Sequence, residues 1–169
     1  NMNLQNIDKT TYRKHLNWVI AGSIVALLAI ALSVSTLLIH LVGEPGGSNF
    51  VLNLVGVVSA VALVLNTLYR NRNTPFMSEV WYVWQLKQEL NAIYRKSKAL
   101  NQALEQNNHQ AFIIKYYHLK ASIQVYELDD NTLTINQLKT DLRELEEKIQ
   151  SLGLSVSIED YQSDLLKTL

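Results

Sequence analysis

Two long uncharged runs constrain this chain more than anything else in it. Trp18–Val42 is 25 residues and Phe50–Leu68 is 19, and neither holds an Asp, Glu, Lys or Arg. A hydrocarbon layer about 30 Å thick takes about 20 helical residues at about 1.5 Å each. Both runs meet that length, so they predict two membrane spans, 18–42 and 50–68, folded as a helical hairpin over residues 18–69. Core helices of a soluble protein of this size seldom run so long without a charge. A secretory signal is shorter than the first run and ends in a small-residue cleavage site that is absent here.

The charges around the runs predict their orientation. Lys9, Arg13 and Lys14 precede the first, Arg70 and Arg72 follow the second, and the connecting turn carries only Glu44. Basic flanks stay on the cytoplasmic side. Both termini are therefore expected in the cytoplasm, with the turn 43–49 in the periplasm. Its residues Glu44, Pro45, Gly46 and Gly47 are the expected outer surface, although turn chemistry alone explains the glycines. Trp18 and Tyr69 fall at the inner edges, where amphipathic aromatics anchor, and Tyr12 and His15 are expected at the headgroups.

Helices in lipid associate through small residues that let backbones approach. On the first span Gly22, Ala26, Ala29, Ser33, Thr36 and His40 recur at spacings of three and four. On the second, Asn53, Gly56, Ala60, Leu63 and Thr67 do the same. These two faces are expected to meet within the chain. Intramembrane polar groups such as His40, Asn53 and Asn66 are functional candidates by default, with helix–helix glue the simpler role here.

The rest divides into a basic arm, 1–17, and a polar segment, 70–169, large enough for one modest core. After Arg70–Asn73 breaks the pattern, Thr74 and Pro75 mark a helix start running to Asn107. Its seam is Val83, Leu86, Leu90, Ile93, Ser97, Leu100 and Leu104. A second helix carries Phe112, Tyr116, Leu119, Ile123 and Tyr126, and Asp129–Asn131 ends it. A third, opened by a Thr134/Gln137 capping box, carries Ile135, Leu138, Leu142, Leu145, Ile149 and Leu152 and closes at Gly153. Three heptad-like helices with short loops predict a cytosolic, antiparallel, coiled-coil-like three-helix bundle. A short C-terminal helix follows from Ser157, with Ile158, Tyr161 and Leu165 on one side. The expected fold class is all-α.

Nothing in the sequence predicts catalysis, a cofactor or a metal site. There is no Cys, hence no thiol nucleophile, disulfide or thiolate site. The histidines His15, His40, His109 and His118 lack ligand spacing, and His118 reads as a bundle boundary residue. Asp129–Asp130 lacks the glycine and distal glutamate of a calcium loop and reads as a solvated loop. Phosphate-binding and nucleophile motifs are missing. Residues 73–169 hold 10 basic and 13 acidic side chains, which argues against nucleic acid as a partner. Met77, Trp81 and Trp84 fall about 140–180° from the Leu86 seam on a helical wheel. They are expected outside the bundle as a membrane or partner contact.

The arm IDKTTYRKH, the turn GEPGGSNF with LNLVGV after it, and the later KYYHL carry a resemblance. The chain resembles the small two-span inner-membrane proteins of Gram-negative bacteria catalogued only as a domain of unknown function. The match is closest at Gly43, Glu44, Gly46, Gly47, Asn49, Phe50 and Asn53. It implies a bacterial inner-membrane location and brings no activity or cofactor. The expected function is a non-enzymatic, membrane-anchored helical interaction or scaffold protein, touching membrane lipid and a protein partner or a second copy. The alternative is an accessory or regulatory subunit of a transport or channel assembly.

Overall fold

The computed structural model describes residues 3–169. Among them every regular element is helical: α1 Lys9–Val42, α2 Phe50–Arg70, α3 Pro75–Arg95, α4 Ser97–Glu105, α5 His109–Leu128 and α6 Ile135–Ser151. Two 3₁₀ turns, Ile158–Asp160 and Ser163–Thr168, take the place of the expected C-terminal helix. Ser157 caps the first of them in a reciprocal capping box with Asp160.

Helices α1 and α2 are long and apolar enough to cross a membrane. Their most apolar 18-residue windows have mean hydropathies of 2.5 and 2.2 and are only 6% and 17% buried. Between them the turn forms as the glycines require. Gly46 takes φ +78°, and a Cβ at Gly43 would collide with the Ile39 carbonyl. Pro75 opens α3 as its fixed φ favours. The Thr74 hydroxyl does not cap that helix; it donates to the Asn71 carbonyl at 2.8 Å.

The chain divides into two compact units, residues 14–81 and residues 82–169 together with the arm up to Arg13. The second unit is built around α5. The sequence shows one apolar stripe on this helix, yet Ala111, Phe112, Ile113, Ile114, Tyr117, Leu119, Ala121, Ser122, Val125 and Leu128 are all buried. A helix covered on every side is the core element of its domain. Its neighbours include α4, α6 and both 3₁₀ turns. Against α6, Phe112 and Leu119 join Leu142, Leu145 and Ile149 in one apolar cluster.

The expected helix 75–107 is two helices. Lys96 sits between them at φ −99°, ψ 8° and bonds back to Ile93 over three residues, a local tightening with neither Gly nor Pro to announce it. Thr134 makes no side-chain cap, and Gln137 donates to Asp141 instead. The helix ends share one device. Past α4, α5 and α6 the residues Asn107 (φ 54°), Asp130 (φ 62°) and Gly153 (φ 63°) turn left-handed. At each, the next amide returns to the helix: Asn108 to Ala103, Asn131 to Tyr126, Leu154 to Ile149. These are Schellman closures.

Candidate functional site

At Gly56 the backbones of α1 and α2 come close together. A Cβ there would collide with Ser35 Oγ and stand 2.9 Å from the Ala31 carbonyl oxygen. Ser35 is buried and its hydroxyl reaches the Asn53 carbonyl at 3.5 Å. Gly56, Ala60 and Val64 are the buried residues of α2. The expected Gly56 and Ala60 thus stand in the contact, whereas Leu63 is exposed and Val64 replaces it.

The α1 side of the contact differs from the expected face. Ala31 and Ser35 meet Gly56, while Ala29, Ser33, Thr36 and His40 are exposed. Gly22 and Ala26 line a groove with Leu63, Val64 and Thr67, but Gly22 has nothing within 4 Å of where its Cβ would stand. The Asn53 side chain is exposed and only its carbonyl takes part. The reason is geometric. Small residues occur on α1 at 29, 31, 33 and 35, and positions two apart differ by about 200°. Both faces satisfy the spacing rule, and Ala31 with Ser35 frames Gly56. Glu44, Pro45, Gly46 and Gly47 of the turn are all exposed.

The arm is the larger correction. Tyr12 is 2% exposed and donates its hydroxyl to Asp129 at 3.1 Å. Burial, then the Asp129 charge, pushes its own ionisation far up. Lys9 bonds Asp130 at 2.6 Å and Arg13 lies 3.8 Å from the same carboxylate. The Lys9 ammonium holds the Asp130 carboxyl below its ordinary range. Lys87 pairs with Asp129 at 2.6 Å. Upstream, the Gln5 amide donates to the Tyr82 hydroxyl at 2.9 Å, and Gln124 closes the loop by donating to the Gln5 carbonyl. Tyr12 is therefore no headgroup anchor, and Asp129–Asp130 is no free loop. The pair ends α5, where the helix dipole disfavours anions. That misplacement is the sequence signal that cations must come from elsewhere. His15 faces Glu79 at 3.4 Å and lies against the Phe76 ring at 4.4 Å.

On α3 the three proposed contact residues separate. Met77 is 6% exposed, Trp81 half-buried with its ring edge-on to Tyr69 at 6.0 Å, and Trp84 48% exposed. Met77 is therefore no surface residue. It belongs to the unit 14–81 and Leu86 to the other, so one seam drawn along the whole helix does not describe both.

Further polar groups lie inside the second unit. Tyr117 and Tyr161 stack at 3.9 Å and 11°. Tyr161 donates to Glu89, and burial followed by that bond pushes its phenol up. Burial and the Glu89 charge do the same to Tyr117. His118 Nδ1 is enclosed without a hydrogen bond, and burial with Lys115 nearby lowers its pKa to about 4. Among the described residues no three His, Asp or Glu side chains converge as a metal site.

A family model described as "Protein of unknown function (DUF3087)" matches residues 2–166, nearly the whole chain, and bears out the resemblance to a family of unknown function. No curated protein and no solved structure matches.

Proposed function

We propose a role for a chain that belongs to this family, DUF3087: a membrane-anchored helical interaction protein without catalysis. The hairpin would cross a bacterial inner membrane twice, with both termini in the cytoplasm. Residues 82–169 and the arm would form the cytosolic part, an antiparallel three-helix arrangement resting on α5. The observation that supports this reading most is the exposure of the two apolar helices. A soluble protein buries such helices, yet their most apolar windows are 6% and 17% buried. Leu28, Leu32, Val51 and Leu65 are each 60% exposed or more. Apolar surface on that scale needs lipid or a partner. The basic residues on both flanks and the lone Glu44 between the helices support the orientation.

Reporter fusions test it. A fusion at residue 169 is expected to report the cytoplasm, and one inserted in the 43–49 turn the periplasm. The same compartment for both, or a periplasmic C-terminus, overturns the topology. Purification in mild detergent then identifies what the cytosolic unit and the hairpin hold.

A further inference from the structure

Three cations gather at the end of the hairpin where the chain enters α1 and leaves α2. From the Ala31–Gly56 contact, Lys14 lies about 26 Å along α1 and Arg70 about 21 Å along α2, both towards that end. Arg72 follows just after α2. None of the three pairs with a carboxylate among the described residues. Residues 14–81 hold two acids, Glu44 and Glu79. Glu44 is in the turn at the opposite end, and Glu79 faces His15 at 3.4 Å with its Oε2 enclosed. The Arg72 guanidinium stacks 3.8 Å over the Tyr69 ring and donates to the Tyr69 carbonyl at 2.7 Å. Those contacts hold it in place and leave most of its N–H donors uncommitted. Next to this collar a groove opens between the helices, lined by Gly22, Ala26, Ile30, Leu63, Val64 and Thr67. Gly22 has nothing within 4 Å of where its Cβ would stand. The Thr67 hydroxyl is spent on the Leu63 carbonyl at 2.8 Å, so it asks nothing of an occupant. On α2, Arg70 stands about 20° round from Leu63 and about 5 Å beyond Thr67, so the wall of the groove leads to a guanidinium.

We propose that this end of the hairpin holds an anionic phospholipid, its phosphate against Lys14, Arg70 and Arg72 and one acyl chain in the groove. The proposal rests on the membrane reading above and names the lipid. The small residues give room; the cations decide the occupant. Three positive charges, with the one nearby acid already facing His15, favour a headgroup of net negative charge. A zwitterionic headgroup would bring an ammonium that they repel. The planar fork of a guanidinium matches phosphate oxygens, and Tyr69 holds one such fork ready. Basic sites between helices at the cytoplasmic face are where anionic headgroups bind. The acyl chain fills apolar space that no side chain reaches at Gly22. A peptide segment in the same groove would have to bring its own negative charge to this height.

Native mass spectrometry of the full chain tests the site, in detergent with equal amounts of phosphatidylglycerol and phosphatidylcholine. The parent is expected to retain phosphatidylglycerol at least about fivefold over phosphatidylcholine. Arg70→Gln with Arg72→Gln should bring that ratio to about one. Gly22→Leu fills the groove from a position outside the Ala31–Gly56 contact and should lower phosphatidylglycerol retention at least about threefold. Arg95→Gln, at an exposed arginine of α3 beyond the hairpin, should keep the parent ratio. Equal retention of the two lipids by the parent, or an unchanged ratio in the double variant, overturns the site. A loss as large in Arg95→Gln assigns the preference to overall charge and overturns it too. Retention untouched by Gly22→Leu takes the acyl chain out of the groove, and a bound polypeptide that Gly22→Leu displaces overturns the lipid as occupant. Alkaline extraction is run in parallel. Release of the chain from the membrane would overturn the membrane reading itself, and the lipid site with it. Membrane retention without a lipid preference would overturn the lipid site alone.

Discussion

The hydroxyl of Tyr12 donates to Asp129 across 117 residues of sequence, and the ring that carries it is 2% exposed. A segment that composition marks as a loose basic arm is thus built into the core of residues 82–169. Tyr12→Phe is expected to cost about 1 kcal/mol, one net hydrogen bond. Tyr12→Ala, which also empties the ring's site, is expected to cost roughly 3–5 kcal/mol. Denaturant titration of the full chain in detergent distinguishes them; equal midpoints for both variants and the parent would place Tyr12 outside the core.

The α5–α6 contact has its own test. Leu142 lies with Phe112, Leu119, Leu145 and Ile149 in one cluster. Leu142→Asp puts a charge there without a partner and is expected to cost more than about 3 kcal/mol. Loss of helicity and of protease resistance in residues 82–169, with the hairpin still membrane-bound, is the expected result.

Acid is expected to weaken the second unit through His118. Its folded pKa of about 4 lies below the ordinary 6.5, so the unfolded chain takes up the proton first. The stability that comes from keeping this ring neutral is fully present above pH 6.5 and is lost as pH falls towards 4. The largest loss is about 3 kcal/mol. His118→Gln should flatten the stability profile in that window, and an unchanged slope would assign the acid sensitivity to other groups.

Gly56→Leu is expected to separate α1 from α2, because even a Cβ at that position collides with Ser35 Oγ. Cysteines placed at Ile30 and Val64, which line one groove, should cross-link in the parent hairpin and not in the leucine variant. Persistent cross-linking would show that the two helices meet elsewhere.

Asn107 holds a left-handed conformation at φ 54°. Asn107→Ala is expected to cost about 1 kcal/mol, and Asn107→Gly to leave stability unchanged or slightly higher. Thermal unfolding of the two variants side by side measures the difference directly.

What the sequence reveals here is what local chemistry decides. Uncharged length marks α1 and α2, Pro75 marks the start of α3, and Gly153 marks the end of α6, because each acts on its immediate neighbours. Gly56 and Ala60 are legible for the same reason. The facing pair Ala31 and Ser35 is not, since α1 offers two small faces and only the three-dimensional fit to Gly56 selects one. The arm's attachment is a long-range pairing that no window of sequence contains. Its one local trace is a pair of acids at the negative end of α5. The break at Lys96 leaves no trace in residue type at all.

The left-handed closures also differ in how firmly they fix register. A slip of one residue at the end of α6 would force Leu152 or Leu154 into the conformation that Gly153 holds, at about 1–2 kcal/mol. At the end of α5 the same slip would call on Asp129 or Asn131, residue types that tolerate it better. The far end of α6 is therefore fixed by its backbone, and the corner after α5 by the side-chain contacts of Asp129 and Asp130 with Tyr12, Lys87 and Lys9. A residue gained or lost beside Gly153 strains the backbone, whereas one gained or lost at 129 or 130 breaks the attachment of the arm.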